Sequence, residues 1–190
     1  MQSIHNASIM SAIGATGLQM YNFGQTISMV FFTETWKPSS FYDRLAENHR
    51  IGLHTLVLLD IKVKEQSLAN LARGRKIYEP ARFMTVAQCA SQMLEIEKER
   101  GEGICGPEVL AVGVARIGAK DQSIAAGTLR QLSASDLGPP LHSLVVLGSR
   151  VHDLEKDFIR DFAIDAEVFD RVWECTTSRS GDSANSFQAS

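Results

Sequence analysis

Hydrophobic residues along this chain fall into short runs of strand length, and stretches with helical spacing lie between them. Residues 26–33 (TISMVFFT) are β-branched and aromatic with almost no polar break, which is typical of a strand buried on both faces. Residues 54–60 (HTLVLLD) predict a second buried strand. Further strands, separated by glycine and proline, are predicted at 109–117, 123–132 and 141–147.

Capping signals predict the first helices of the chain. Asn6 or Ser8 can cap a short helix, and Gly17 supplies its left-handed end. Ser40 and Asp43 have the spacing of a capping box, which predicts a helix that begins there. The alternation of such helices with the predicted strands indicates a mixed α/β fold.

Three more helices are predicted in the rest of the chain. Thr85 and Gln88 form a second capping box at the start of an amphipathic helix, which Gly101 ends. A later apolar stripe runs through Phe158, and Asp165 caps the helix that follows it. Residues 176–190 are rich in serine and nearly free of large apolar groups, so a disordered tail is predicted there.

Length, composition and charge exclude several classes of protein. The chain has 190 residues, of which 44% are hydrophobic and 22% charged, so it is globular. Its net charge of -3 favours neither nucleic acid nor an anionic membrane as a partner. Its hydrophobic runs fall well short of the about 20 residues that cross a bilayer. Three cysteines without paired spacing argue against disulfides and a zinc site, and they fit a cytoplasmic location.

One glycine motif imitates a dinucleotide-binding fingerprint. Residues 101–106 (GEGICG) match G-x-G-x-x-G letter by letter. The fingerprint requires a loop that leaves a strand and enters a helix, whereas these glycines leave a predicted helix and enter a strand. We therefore predict a helix cap followed by a turn.

Other candidate groups carry two interpretations each. The basic cluster Arg73, Arg75, Lys76 and Arg82 could bind an acidic substrate, although the residues by themselves favour a solvated loop. Because imidazole can exchange protons near neutrality, His5 and His142 are candidates for acid–base chemistry, but no carboxylate partner is evident and a structural role is the default.

Five segments, in order between about residues 4 and 150, carry a resemblance to a known family. The chain resembles the eukaryotic diphthine synthases in the segments 4–10 (IHNASIM), 53–67 (LHTLVLLDIKVKEQS), 74–80 (GRKIYEP), 125–129 (AAGTL) and 137–144 (LGPPLHSL). This resemblance implies a tetrapyrrole-methylase-like fold, in which the cofactor lies in the cleft between two α/β domains. Proteins with this fold are usually homodimers. The chain would supply the C-terminal mixed-sheet domain and a remnant of the N-terminal domain.

The resemblance also implies a division of the chain. Residues 1–34 would be the remnant of the N-terminal cofactor-binding domain, and residues 35–163 the C-terminal α/β domain. Residues 164–175 would be a helical extension, and 176–190 a disordered tail.

A function follows from the same resemblance. It implies an S-adenosylmethionine-dependent methyltransferase that acts on a modified histidine of elongation factor 2 in diphthamide biosynthesis. The cofactor-binding positions that carry over are Ser8, Ile9, Leu59, Ile117 and His142. Apolar side chains can cover the adenine and thioether chain, while a hydroxyl and backbone groups hold the polar ends. Methyl transfer needs in-line positioning more than a protein nucleophile, so no catalytic residue is assigned.

The chain departs from the family at its front. Members of the family begin with a strand and a glycine-rich loop, followed by an Asp-containing loop that also contacts the cofactor, and the chain has neither. We therefore expect impaired activity and an exposed strand edge at 26–33. A non-catalytic module for dimerisation or elongation-factor binding is the alternative, and a methyltransferase of tetrapyrroles is a third possibility. The basic cluster becomes a candidate for binding either the substrate carboxylate or the elongation-factor surface.

Overall fold

A mixed β-sheet with helices on both faces forms the body of the protein. The computed structural model describes residues 7–66, 72–74 and 76–185, with side chains described as far as 176. Five strands lie in the order β1-β2-β7-β5-β6, and β3 pairs with β4 in a separate two-stranded sheet. The strands are β1 (Ile27–Met29), β2 (Thr55–Leu59), β3 (Ile61–Lys62), β4 (Arg82–Phe83), β5 (Leu110–Ala115), β6 (Ser123–Thr128) and β7 (His142–Val146).

Two hydrophobic cores, one on each face, follow from the alternation of side chains along the central strands. On one face, Val57 and Leu144 pack with helices α2 (Ser40–Arg50), α3 (Val86–Arg100) and α4 (Leu129–Ser133). On the other face, Leu56 and Val145 pack with α1 (Ile9–Ala12), α5 (Asp153–Arg160) and α6 (Ala166–Asn185). Every position of β5 and β7 is buried, and β5 reads as a continuous apolar run, whereas β7 begins with the buried polar residues His142 and Ser143.

The first strand is shorter and less buried than its sequence predicts. β1 is parallel to β2 and has no second strand neighbour among the described residues. Ile27 and Met29 are buried while Ser28 is exposed, so the prediction of a strand buried on both faces over 26–33 is wrong. After Met29 the backbone forms hydrogen bonds with side chains instead of with a strand. Phe31 N donates to Asp60 Oδ2 at 3.2 Å. Gln92 accepts from Phe32 N and donates to Val30 O.

The predicted strand at 123–132 is also corrected. The strand ends at Thr128, whose hydroxyl accepts from Gln131 N at 3.2 Å while Gln131 Oε1 accepts from Thr128 N at 3.0 Å. This reciprocal capping box starts helix α4 at Leu129 and turns the chain away from the sheet. The capping signal therefore overrides the apolar run.

Predictions of helix ends succeed in one case and fail in another. Thr85 and Gln88 form the predicted capping box of α3, with both bonds at 3.1 Å, and the helix ends at Gly101 with φ of 66°. At α2 the predicted box is wrong, because Ser39 is the N-cap and it makes no side-chain cap bond. Ser40 already lies inside the first turn, where its hydroxyl cannot cap.

A helix lies near each end of the described part of the chain. Ser8 caps α1, a 3₁₀ turn follows at Ile13–Thr16, and Gly17 ends it in the left-handed region with φ of 80°, as predicted. At the other end, Asp165 Oδ1 accepts from Val168 N at 3.0 Å and caps α6, also as predicted.

The last helix runs further than its sequence suggests. It continues through Asn185, so the prediction of disorder is wrong over 176–185, while 186–190 lie outside the described residues. The first turns of this helix are anchored in the core by Phe169 and Trp173, which are 0 and 7% exposed, and the helical backbone continues from them. The boundary predicted between 34 and 35 stays a prediction, although β1 pairs directly with β2 across it.

Candidate functional site

One end of the main sheet collects the positions predicted to bind the cofactor. β2 and β5 end there and β7 begins there, since Leu58 pairs with Ser143 and Ala115 pairs with His142. Leu59, Ile117 and His142 therefore meet at this end, although they are far apart in sequence.

A cavity of about 360 Å³ opens at this end of the sheet, between α1 and the ends of β5 and β7. Ser8, Ile9 and Ile117, three of the five predicted positions, lie in its wall. The remaining lining residues are Ala7, Ala12, Val114, Arg116, Pro140, Leu141 and Ser143. The wall is mainly aliphatic, with hydroxyls at its margin, which suits an amphipathic small molecule.

The side chains of Leu59 and His142 lie outside this cavity. Leu59 is 9% exposed and packs in the core on the face of α2 and α3. His142 points to the same face, where Nδ1 accepts from Val86 N at 3.2 Å. Since Nδ1 accepts, the ring proton sits on Nε2, which lies 3.0 Å from the carbonyls of Gly138 and Pro139. The imidazole therefore ties the loop before β7 to the first turn of α3, and a backbone contact to the cofactor stays a prediction.

Arg116 is a residue of the cavity wall that the sequence analysis did not identify. Its side chain is 14% exposed, and its backbone is left-handed with φ of 51°. The guanidinium donates to Asp121 O at 2.8 and 3.1 Å, to Leu137 O at 2.9 Å, and to Pro139 O. Its Nε also lies 2.8 Å from the Asp121 carboxylate.

Two side chains thus hold the same loop from opposite sides. Arg116 binds the carbonyls of Leu137 and Pro139 from the cavity side, and His142 binds those of Gly138 and Pro139 from the core side. Pro140 and Leu141, which follow directly, form part of the cavity wall. The shape of the wall therefore depends on both side chains. A sequence signal existed only in part, as an arginine shortly after a buried strand, because the two carbonyl partners in this loop lie 21 and 23 residues away.

The glycine motif at 101–106 wraps a carboxylate of the protein itself. Gly103 N and Cys105 N donate to Glu97 at 2.6 and 2.8 Å, and the Tyr42 hydroxyl donates to Glu97 at 3.0 Å. Burial raises the pKa of Glu97, but these hydrogen bonds outweigh it and hold the pKa below its ordinary value. The prediction of a helix cap and turn is confirmed, and the backbone donors of the loop have an internal partner.

In the sequence, the basic cluster lies between β3 and the end of β4, and Arg82 is the member that lies in a strand. Glu65 accepts from Lys62 at 2.8 Å and from Arg82 at 2.6 Å, and both bonds lower the pKa of Glu65. Arg73 and Lys76 are exposed, while Arg75 lies outside the described residues, as does His5.

A larger groove of about 670 Å³ lies at the opposite end of the sheet, beside α6. Val109, Leu147 and Trp173 form its apolar part, and none of the five predicted positions lines it. Over the described ranges, no group of three His, Cys, Asp or Glu side chains is placed to hold a metal ion. Within those same ranges, no helix has the length and hydrophobicity needed to span a membrane.

The chain is similar to curated proteins named diphthine methyl ester synthase. It is 72% identical over 171 residues to the protein of Emericella nidulans, 60% over 172 residues to that of Schizosaccharomyces pombe and 57% over 169 residues to that of Saccharomyces cerevisiae. These alignments cover about 90% of the chain and 56 to 61% of the relatives, so the chain spans about three-fifths of their length. No family model matches the chain.

Solved structures of the same name share the fold. A putative diphthine synthase from Entamoeba histolytica superposes with a TM-score of 0.75 at 44% identity, covering 85% of this chain and 59% of that one. Another diphthine synthase superposes with a TM-score of 0.63 at 25% identity, over 87% of this chain and 56% of that one. The mixed α/β fold inferred from the resemblance is thereby confirmed. Over nine-tenths of its length the chain aligns with the diphthine methyl ester synthases, and its fold is similar to that of the solved diphthine synthases.

Proposed function

We propose that the chain acts in S-adenosylmethionine-dependent methylation of the modified histidine of elongation factor 2, a step of diphthamide biosynthesis. The observation that carries this proposal is the cavity at the end of β5, where Ser8, Ile9 and Ile117 come together from positions more than 100 residues apart. The resemblance assigns the same three positions to the cofactor.

The residues present fit the proposed cofactor. A volume of about 360 Å³ is at the small end of ligand pockets, which suits a ligand held partly by this chain and partly by another lobe. Ile9, Ile117 and Leu141 offer apolar surface to an adenine ring and a thioether chain. The Ser8 hydroxyl is exposed, and it accepts from Ser11 N over a long 3.4 Å, so it can still donate to a polar group of the ligand.

The cofactor and the chain would divide the work between them. When bound, S-adenosylmethionine supplies an electrophilic methyl group on a sulfonium. The chain would contribute positioning: Ile9 and Ile117 exclude water from one side, and the loop held by Arg116 and His142 fixes the other. Holding donor and acceptor in line at short distance can supply most of the acceleration of such a transfer. Contacts of Leu59 and of the His142 backbone with the cofactor are part of the same proposal.

Methyl transfer to elongation factor 2 tests this function directly. The factor would be isolated from cells that lack the methyltransferase and incubated with labelled S-adenosylmethionine. One sample would contain the 190-residue chain, and a second the chain joined to the part of the Emericella nidulans relative that the alignment leaves out. We expect efficient transfer by the joined protein and weaker transfer by the chain alone.

A matched pair of variants ties the reaction to the cavity. Ile117→Arg places a charge in the cavity wall, whereas Ile164→Arg places one at a position 45% exposed and remote from that wall. We expect loss of transfer in the first and retention in the second. A joined protein without transfer, or equal transfer by both variants, would contradict the proposal.

A non-catalytic module for dimerisation or elongation-factor binding is the second candidate. It is favoured by one observation, that the cavity of about 360 Å³ is at the small end of ligand pockets. A module of this kind would bind the factor, yet calorimetry would detect no binding of S-adenosylmethionine to the chain or to the joined protein. A homodimer and a cytoplasmic location are further parts of the proposal, and light scattering of the joined protein would test the first.

A further inference from the structure

The segment between β2 and α3 differs in charge from the rest of the chain. Residues 61–83 carry six basic and two acidic side chains, a net charge of +4, while the remaining residues carry -7. The basic residues are Lys62, Lys64, Arg73, Arg75, Lys76 and Arg82, and the acidic ones Glu65 and Glu79. We refer to the described residues of 61–83 as the basic lobe. Such an asymmetry marks a surface suited to an acidic partner.

Exposed apolar side chains lie among these charges. Ile61, Val63, Ile77 and Tyr78 are between 47 and 56% exposed. A loop that is merely solvated gains nothing from four such side chains. Exposed apolar groups between basic residues, with a tyrosine among them, are instead typical of a protein interface.

The base of the lobe is fixed to the end of the sheet that contains the cavity. Met84 N donates to Asp60 O at 2.9 Å, and the Asp60 carboxylate accepts from Phe31 N at 3.2 Å. The Arg82 guanidinium lies over the Phe31 ring at 5.1 Å, and Glu65 bridges Arg82 and Lys62. Because the lobe leads directly into α3, whose first amide binds His142, it stands beside the loop that forms the cavity wall.

We propose that the basic lobe is the docking surface for an acidic patch on the protein substrate, next to the histidine that is methylated. This inference rests on the proposed function and names how that site recognises its substrate. A protein is favoured over a nucleic acid because the rest of the chain is strongly acidic and would repel an extended polyanion. The exposed aliphatic residues of the lobe would likewise be of no use against phosphates.

Charge reversal on the lobe tests the inference in the joined protein described above. Lys64→Glu/Lys76→Glu changes two exposed residues of the lobe, and Arg44→Glu/Lys98→Glu changes two exposed residues on α2 and α3 by the same charge. Affinity for the unmethylated elongation factor 2 would be measured between low and physiological salt, with calorimetry of S-adenosylmethionine alongside. We expect the lobe variant to weaken factor binding about tenfold or more at low salt and to flatten its salt dependence.

The remaining measurements separate this inference from the proposed function. The Arg44/Lys98 variant should bind the factor as the wild type does. The conservative variant Lys64→Arg/Lys76→Arg should also retain wild-type affinity. All variants should bind S-adenosylmethionine equally. Equal factor binding by both reversed variants would overturn the docking surface, as would tighter binding of an oligonucleotide or of anionic vesicles than of the factor. Failure of the wild-type protein to bind S-adenosylmethionine would instead overturn the proposed function.

Discussion

Replacement of Arg116 by alanine should destabilise the protein and loosen the cavity wall. The substitution removes four hydrogen bonds to the carbonyls of Asp121, Leu137 and Pro139, and an ion pair with Asp121. A hydrogen bond to a charged group contributes about 1.5–3 kcal/mol when its partner stays dry. Asp121 and Pro139 are exposed and can be rehydrated, whereas Leu137 is 5% exposed, so its carbonyl bears most of the cost. We expect a loss of about 2–4 kcal/mol in the free energy of unfolding.

Urea unfolding of matched variants would measure this loss. Arg130 also forms an ion pair, with Glu108, but its side chain is 66% exposed, so Arg130→Ala should lie within about 0.5 kcal/mol of wild type. Arg116→Gly should be more stable than Arg116→Ala by about 1 kcal/mol, because the left-handed φ of 51° strains any residue with a Cβ. Binding of S-adenosylmethionine should weaken in both Arg116 variants. If Arg116→Ala matched Arg130→Ala in stability and affinity, the role given to Arg116 would be refuted.

Three further predictions concern the residues around this framework. His142→Ala should lower stability by about 1–3 kcal/mol, since it leaves Val86 N without its acceptor, and it should weaken S-adenosylmethionine binding in calorimetry; unchanged affinity would remove His142 from the site. Glu97→Gln should make the free energy of unfolding less dependent on pH. The folded pKa of Glu97 lies below its ordinary value of 4.5, so its contribution to stability is present above about pH 4.5 and is lost as the pH falls further. Acid titration of both proteins would show whether this difference exists. Thr85→Ala should cost about 1 kcal/mol in urea unfolding, whereas Ser40→Ala should cost little because Ser40 caps nothing; equal losses would contradict the assigned caps.

Local signals predicted the fold best where the partners are neighbours in sequence. The box of Thr85 and Gln88 needs three residues and no distant help, and it formed as predicted. The strand at 26–33 failed because its extent is decided elsewhere. The side chains of Asp60 and Gln92 accept hydrogen bonds from backbone N–H groups that a longer strand would use to pair with a neighbouring strand. The sequence of residues 26–33 does not indicate these two partners.

The same distinction holds for the site. Ser8, Ile9 and Ile117 could be named from resemblance, and the fold gathers them in one wall. Arg116 could not be named from the sequence, because it supports the loop through backbone carbonyl groups 21 and 23 residues away. Every residue type has such a carbonyl, so the sequence does not mark these partners. His142 was named as a cofactor position, yet its imidazole turns toward the core and supports the loop.

Hydrogen exchange of the 190-residue chain with and without saturating S-adenosylmethionine tests the central claim most directly, since it reports weak binding and its location together. The claim is that the end of the sheet formed by Leu59, Ala115 and His142 holds the cofactor. We predict slower exchange in peptides spanning 7–12, 114–118 and 138–143. Unchanged exchange in all three, or protection confined to the opposite groove at 147–151 and 171–176, would contradict it.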